Sequence, residues 1–484
     1  MDGGLALSEI IKYPEPLSPT KYYYFNSWTL LHQFSEVFLR FGFSTQSVSK
    51  IILFLSILSY ALSAFLISYK LTEDKYLSLS VSVLMIIFQK NFGDTDYPSL
   101  VISIHTYGMF SLAISSLILA LTLNENYKSA GFFSILLISL HPIIGVWILG
   151  ILIFGTLILK DKKINIDLLK GAILGSFLTV LSFVLFTNNT IEKLDFNPEI
   201  FKMYIDLWDG HRNPLGHIHY EYLLKTIFLF LVVNIYFLLL KDKSKKFFLI
   251  IFNSSIIFSL ILYFLYKLVP ELFPAFIVNI MPTRFLILHS FIGWPLIIGA
   301  LWATFSQFNS TKKFIKIFIF TILIIYSLQH YKSFIKIKNG IFFDSSEFSK
   351  FNGTDIFYEI SNLELDGYFI TTSTTGNYTH SYAFKPILLD VGNFNYIPYH
   401  PYLANKSFEI LESIYDIDIK NPPIKHYNRI PDSFIKTVFE NKTKTEWENI
   451  RKKFNANYVV VPSEWEIGLK LFKKNDIFSI YKIE

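Results

Sequence analysis

Asp94 and Asp96 are the carboxylates best placed to do chemistry, two positions apart in Gly93-Asp-Thr-Asp-Tyr-Pro98. A carboxylate in such a turn can take a proton from a hydroxyl or help hold a divalent cation. His105, Tyr107 and Gly108 follow at once. Ionisable groups in or at the mouth of a membrane are costly and mark functional sites by default. The plainer reading is a Gly/Asp/Pro turn whose Asp caps the next helix, with His105 hydrogen-bonded inside a bundle.

A second group runs from Trp208 to Glu221 and holds Asp209, His211, Arg212, His217 and His219. The histidine spacings match no zinc pattern. Arg212 is the candidate phosphate partner, because its planar fork matches phosphate oxygens, with Asp209 and His211 beside it. The plainer reading is an interfacial loop with solvated charges. Arg284 follows Pro282-Thr283 at the start of an apolar run. Its charge opposes the helix dipole there and calls for an anion, either a lipid headgroup or a lipid-phosphate substrate. His141-Pro142 interrupts the apolar stretch 130–160. Proline there breaks the helix and frees carbonyls that need a cavity or protein partners, so His141 is a further candidate for substrate contact; the plainer readings are a structural kink with a capping histidine, or one long kinked helix over the stretch. Asp2, with Tyr13-Pro-Glu-Pro16 and Trp28, reads as a terminal charge without fixed structure, and Tyr22-Tyr-Tyr-Phe25 as an interfacial run.

The elements that must carry these residues follow from the distribution of charge. Charged residues make up 17% of the 484 residues, apolar ones 52%, and the charge is scarce between Ile51 and Tyr331. About 20 helical residues cross a bilayer. Spans are expected at 51–69, 100–122, 168–187, 223–241, 247–268, 284–305 and 314–330. A short one is expected at 77–89, and two short helices meeting at His141-Pro142 within 130–160, about ten in all. With residues 1–50 outside, the alternate loops carry fourteen lysines, including Lys160, Lys162, Lys163, Lys241, Lys243, Lys245 and Lys246. The outside loops carry Lys90, Lys193, Lys202 and Arg212. That asymmetry is the positive-inside rule, and it puts the tail outside. The expected class is a polytopic α-helical membrane bundle, 51–330, followed by a C-terminal soluble α/β domain, 331–484. The membrane is the inner, or cell, membrane, in a multi-pass arrangement.

Within the tail, Gly367–Thr372, Asn457–Pro462 and Ile477–Ile483 read as strands. Ser407–Tyr415 and Thr445–Phe454 have helical spacing. Glu464, Trp465 and Glu466 read as a surface turn.

There are no cysteines, which excludes disulfides, thiolate metal sites and a cysteine nucleophile. No nucleotide loop, serine elbow or His-Glu-x-x-His is present. The net charge of +6 is topological, not a nucleic-acid footprint. Met1–Pro19 lacks the apolar core of a signal peptide.

Acidic outer loops, short paired helices and a soluble outer tail resemble the GT-C superfamily of polyprenol-linked glycosyltransferases, as architecture over the whole chain. That resemblance implies sugar transfer from a polyprenol-phosphate donor at the extracytoplasmic face. Asp94 or Asp96 would be base or metal ligand, and Arg212, Arg284 or His211 would stabilise the departing phosphate. The superfamily also carries an acid in its first outer loop. Asp2 matches it loosely, without the transmembrane helix that normally precedes it, which reads as a late start or a missing first helix. Two other classes fit the same sequence: a transporter or flippase using the broken 130–160 region, and a non-catalytic scaffold for envelope polysaccharide assembly.

Overall fold

The computed structural model describes residues 2–87, 107–191, 194–210, 220–240, 245–269, 285–305 and 353–484, with single helical positions between 314 and 328. Three short helices come first: α1 (Asp2–Leu7), α2 (Pro19–Asn26) and α3 (Leu30–Arg40). Ser18 and Thr29 cap the second and third, each hydroxyl accepting a hydrogen bond from a backbone N–H in the first turn.

The bundle follows as α4 (Thr45–Thr72), α5 (Lys75–Ile87), α6 (Tyr107–Leu123), α7 (Tyr127–Leu140), α8 (Pro142–Leu159) and α9 (Lys162–Asn189). After α10 (Pro198–Leu207) come α11 (Tyr220–Leu240), α12 (Lys246–Leu268) and α13 (Ile287–Phe305). Among the described residues four stretches are long and apolar enough to cross a membrane: α4, α8, α9 and Lys246–Leu265 of α12, and five more apolar stretches are shorter. The chain is thus a helical membrane protein with a small C-terminal sheet domain.

Helix α9 shows how the bundle meets lipid. Its outer face presents Ile173, Phe177, Val180, Leu181 and Val184, with Phe177 72% exposed. In water such a face would be intolerable; in hydrocarbon it is matched to its solvent. The opposite stripe, Gly171, Gly175, Thr179 and Ser182, is small, and α7 packs on it. A Cβ on Gly171 would lie 1.8 Å from the Lys128 carbonyl oxygen, so the two backbones touch. Lipid gives helices no hydrophobic drive to associate, and close packing of small residues replaces it. Polar pairs add to this: Asn234 and Asn253 exchange two hydrogen bonds of 2.9 and 2.7 Å between α11 and α12. Ser255 and His289 meet at 2.8 Å.

The expected break at His141-Pro142 is present. His141 is extended (φ −153°) between α7 and α8, and its Nδ1 accepts from Ile144 N at 3.4 Å. The freed carbonyl of Leu140 accepts from the Thr29 hydroxyl at 2.9 Å.

The tail contains α14 (Asp355–Ser361), β1 (Tyr368–Thr371), α15 (Gly376–Ser381), α16 (Leu403–Tyr415), α17 (Asp432–Asn441), α18 (Lys444–Phe454), β2 (Ala456–Pro462), β3 (Lys470–Lys474) and β4 (Phe478–Lys482). The sheet order is β1-β2-β4-β3, with β1 and β2 parallel and the other pairs antiparallel. A parallel pair needs a long crossover, and α15–α18 provide it. Both faces are covered. Tyr368, Ile370, Val459 and Val461 face one core, and Phe369, Tyr458 and Val460 face the other, against α14. That is why Tyr458–Val461 is a continuous apolar run. The expected surface turn at 464–466 needs correction at Trp465, which is buried beside Phe439.

The larger tail core is not closed by the tail alone. Tyr22 of α2 and Phe201, Tyr204, Ile205 and Trp208 of the α10 region are part of it. Burying each such side chain contributes about 1.5–3 kcal/mol. Hydrogen bonds stitch the same seam: Tyr204 Oη donates to Phe394 O at 2.9 Å, and Trp208 Nε1 to Ile419 O at 2.8 Å. The N-terminal segment is held below as well. Gln33 and Ser182 of α9 share two bonds of 2.6 Å, and Trp28 Nε1 donates to the Ser182 hydroxyl at 3.1 Å. Residues 2–40 therefore form a layer between bundle and tail.

Candidate functional site

A cluster of ionisable and aromatic side chains is assembled in that layer. Its centre is Asp2, and two glycines put it there. A Cβ on Gly3 would lie 2.4 Å from the His32 ring, and one on Gly4 would lie 2.4 Å from Ser35 Cβ. Only without side chains does α1 lie flat on α3. Asp2 then faces α15 of the tail. Ser381 Oγ donates to Asp2 Oδ1 at 2.9 Å, and His380 Nδ1 faces the same oxygen at 3.8 Å, within ion-pair reach but beyond a hydrogen bond. His380 Nε2 meets Tyr13 Oη at 2.7 Å. With Tyr13 donating, the imidazole proton sits on Nδ1 and faces Asp2, the tautomer that satisfies both neighbours. Tyr24 stacks on the other side of His380, ring centroids 5.1 Å apart.

A second wing lies across α2. His400 Nε2 meets the Ser27 hydroxyl at 2.8 Å, and Tyr22 and Tyr23 approach its ring edge-on. Tyr399, next in chain, meets His141 edge-on at 6.1 Å. The helix break in the bundle and the tail loop thus share one neighbourhood. Asp390 completes the first wing, its Oδ1 accepting from Gly392 N at 3.0 Å.

The environments drive the titrations apart. At Asp2 desolvation opposes ionisation, but the His380 imidazole and the Ser381 hydroxyl outweigh it and hold the carboxyl below the usual range. At Asp390 burial wins over the backbone hydrogen bond from Gly392, and the carboxyl is pushed up to about 6. Burial pushes His32 down to about 3 and His400 down to about 4. Tyr13 and Tyr24 are raised by burial and by the nearby carboxylates. Exposure divides the central pair: the Asp2 side chain is 43% exposed and that of His380 3%. A partly exposed, ionised carboxylate thus lies against a buried imidazole. This arrangement can accept a hydrogen bond from a hydroxyl and stabilise positive charge that develops beside it.

Of the residues singled out from sequence, His141 adjoins the second wing. Asp209 is fully buried in the seam between the α10 loop and the tail, 3.5 Å from Asn428 Nδ2, while Gly210 N donates to Asn428 Oδ1 at 2.9 Å. There it ties loop to tail. Asp94, Asp96, His105, His211, Arg212 and Arg284 lie outside the described residues. The expectation of a disordered Asp2 is corrected, because α1 is helical and its acid is engaged. Likewise Tyr22–Tyr24 pack on the tail and its histidines. Sequence reading grouped Asp2 with Tyr13 but missed His380, Asp390, His400 and His32, and only the acid-glycine-glycine run Asp2-Gly3-Gly4 hinted at a close-packed acidic site. Among the described residues no group of three or more His, Asp or Glu side chains is placed to hold a metal ion.

No protein-family model matches the chain, and no curated protein matches it at a significant level.

Proposed function

We propose that the chain is a membrane-embedded glycosyltransferase that moves a sugar from a lipid-phosphate donor to an acceptor hydroxyl at the outer face. In this reading the reaction takes place where residues 2–40 meet the tail. The observation that supports it is the Asp2–His380 pair: a partly exposed, ionised carboxylate on a buried, oriented imidazole, carried by a membrane bundle with lipid-facing helices. The excess of lysine in alternate loops of the sequence supports an outward-facing position for this layer.

Asp2 accepts a hydrogen bond from the acceptor hydroxyl and orients it at the sugar's anomeric carbon. Its depressed pKa makes it a weak base toward a free alcohol. As the new C–O bond forms, however, the hydroxyl becomes strongly acidic and its proton passes to Asp2. The bond between the anomeric carbon and the phosphate oxygen breaks, and the lipid phosphate leaves with the electron pair. Negative charge grows there and needs cations already in place; Arg212, Arg284 and His211 are assigned that role. Asp94 and Asp96, outside the described residues, keep the role the sequence suggests for them, as base or as ligands to a divalent cation.

Purified protein in nanodiscs is expected to consume a polyprenyl-phosphate sugar and release polyprenyl phosphate, both followed by mass spectrometry. Asp94→Asn with Asp96→Asn should abolish this at unchanged expression. No consumption of any lipid-phosphate sugar would reject the transferase reading, and unchanged turnover in the double variant would remove those two acids from it.

A further inference from the structure

A second feature lies on the tail, at the loop between β1 and α15. The parallel strands β1 and β2 both run toward the edge where Thr371 and Pro462 end them. Crevices outside the carboxyl ends of parallel strands are the usual ligand positions in open α/β sheets. A cleft of about 340 Å³ opens there, lined by Thr374, Asp432, Ser433, Lys436, Pro462, Glu464 and Trp465. The loop after β1 contributes one wall and the turn after β2 the other.

The cleft is built around Asp432. Its Oδ1 accepts from Ser373 N at 2.9 Å, and its Oδ2 accepts from the Thr372 hydroxyl at 3.3 Å and from the Thr374 hydroxyl. Ser373 is fixed in turn, its hydroxyl donating to Val391 O or Ile430 O, at 3.0 and 2.5 Å. The carboxylate is therefore held in one orientation before any ligand arrives, which lowers the ordering cost of binding. Each carboxylate oxygen has two lone-pair directions, so Oδ2 is fully used and Oδ1 keeps one acceptor position.

The chemistry of the lining selects the ligand. Asp432 and Glu464 accept hydrogen bonds, Lys436 donates, and Thr374 and Ser433 do both. Pro462 and Trp465 add an apolar wall. Two carboxylates against one ammonium leave the lining net negative, which disfavours phosphates and other anions. The volume lies at the low end for small-molecule sites, about 300–1,000 Å³, too small for a lipid chain. A ligand that offers donors and acceptors around its edge, an apolar C–H face and no negative charge is a sugar ring.

We infer that this cleft is a binding subsite for one or two neutral sugar units of a glycan. The assignment does not rest on the transferase reading, since a non-catalytic glycan-binding protein would use it equally. Binding and turnover are separate measurements, so either can fail alone.

The test is saturation-transfer NMR on the full chain in nanodiscs with maltotriose, an N-acetylglucosamine trisaccharide and α-mannobiose, and inorganic phosphate as the anionic comparison. At least one saccharide should bind saturably, and Lys436→Ala and Glu464→Gln should each weaken it about tenfold without changing the thermal midpoint. Both side chains lie at the cleft surface, outside the two cores. Phosphate should not compete. Absence of saturable binding for all three saccharides, binding that survives both substitutions, or displacement by phosphate would each overturn the assignment.

Discussion

Asp390 is the residue whose environment makes the sharpest claim. Its carboxyl, pushed up to about 6 by burial, keeps its proton more tightly in the folded chain than in the unfolded one. Between about pH 3.9, where an unfolded aspartate titrates, and about pH 6, the folded state holds a proton that the unfolded state has released. Stability contributed by this group therefore falls as pH rises through that window. Asp390→Asn removes the penalty. It should gain on the wild type between about pH 4 and pH 7 by roughly 3 kcal/mol, seen as a growing difference in thermal midpoint; a difference that does not vary with pH would contradict the assigned environment. His32 and His400 act in the opposite sense. With folded values lowered to about 3 and about 4, both rings are neutral in either state above about pH 6.5; as pH falls below that, only the unfolded state takes up the protons, so the stability these residues contribute is lost between about pH 6.5 and about pH 3–4. None of these residues was legible as a site from sequence. Tyr13 and His380 are separated by most of the chain, and no local spacing encodes their meeting. Asp2 read as a terminal charge that only loosely matched a first-loop acid, until α1 and α2 brought it and His400 against the tail.

Helices and strands were more legible, for local reasons. Apolar length located α4, α9 and α12, and proline chemistry located the break between α7 and α8. Alternation and β-branched runs gave β1, β2 and β4. Strand β3 escaped because Lys470-Leu-Phe-Lys-Lys474 is an edge strand exposed on both faces, with a register shift between Leu471 and Lys473. Lysines at a sheet edge block further pairing, and they erase the apolar signature as well. Trp465 was misplaced because its flanking glutamates are exposed while its ring is not. The α7–α9 contact carries the clearest expectation at this scale. In Gly171→Leu the first added carbon already meets the Lys128 carbonyl, so the helices must part. A cost of about 1–3 kcal/mol or more is expected, whereas Phe177→Leu on the lipid side should leave the thermal midpoint in nanodiscs unchanged. Equal effects of the two substitutions would contradict the assigned inner and outer faces of α9.

As a whole the molecule is a bundle and a tail joined through a third, thin layer. Division of the sequence at 50 and 330 captured the composition of the parts but not this joint. Residues 2–40 share hydrogen bonds with α9 below and apolar contacts with the tail above, and α10 enters the tail core from the side. Composition reports which solvent a segment prefers. It does not report which segments share a core when both prefer water. The joint is where the ionisable groups collect, and the proposed chemistry depends on it. The decisive measurement is the turnover of a polyprenyl-phosphate sugar by Asp2→Asn in nanodiscs, with the thermal midpoint recorded on the same sample. Loss of the positioned carboxylate should lower kcat by about 10²–10⁴-fold with the fold intact, whereas turnover at the wild-type rate would show that the reaction does not pass through this site.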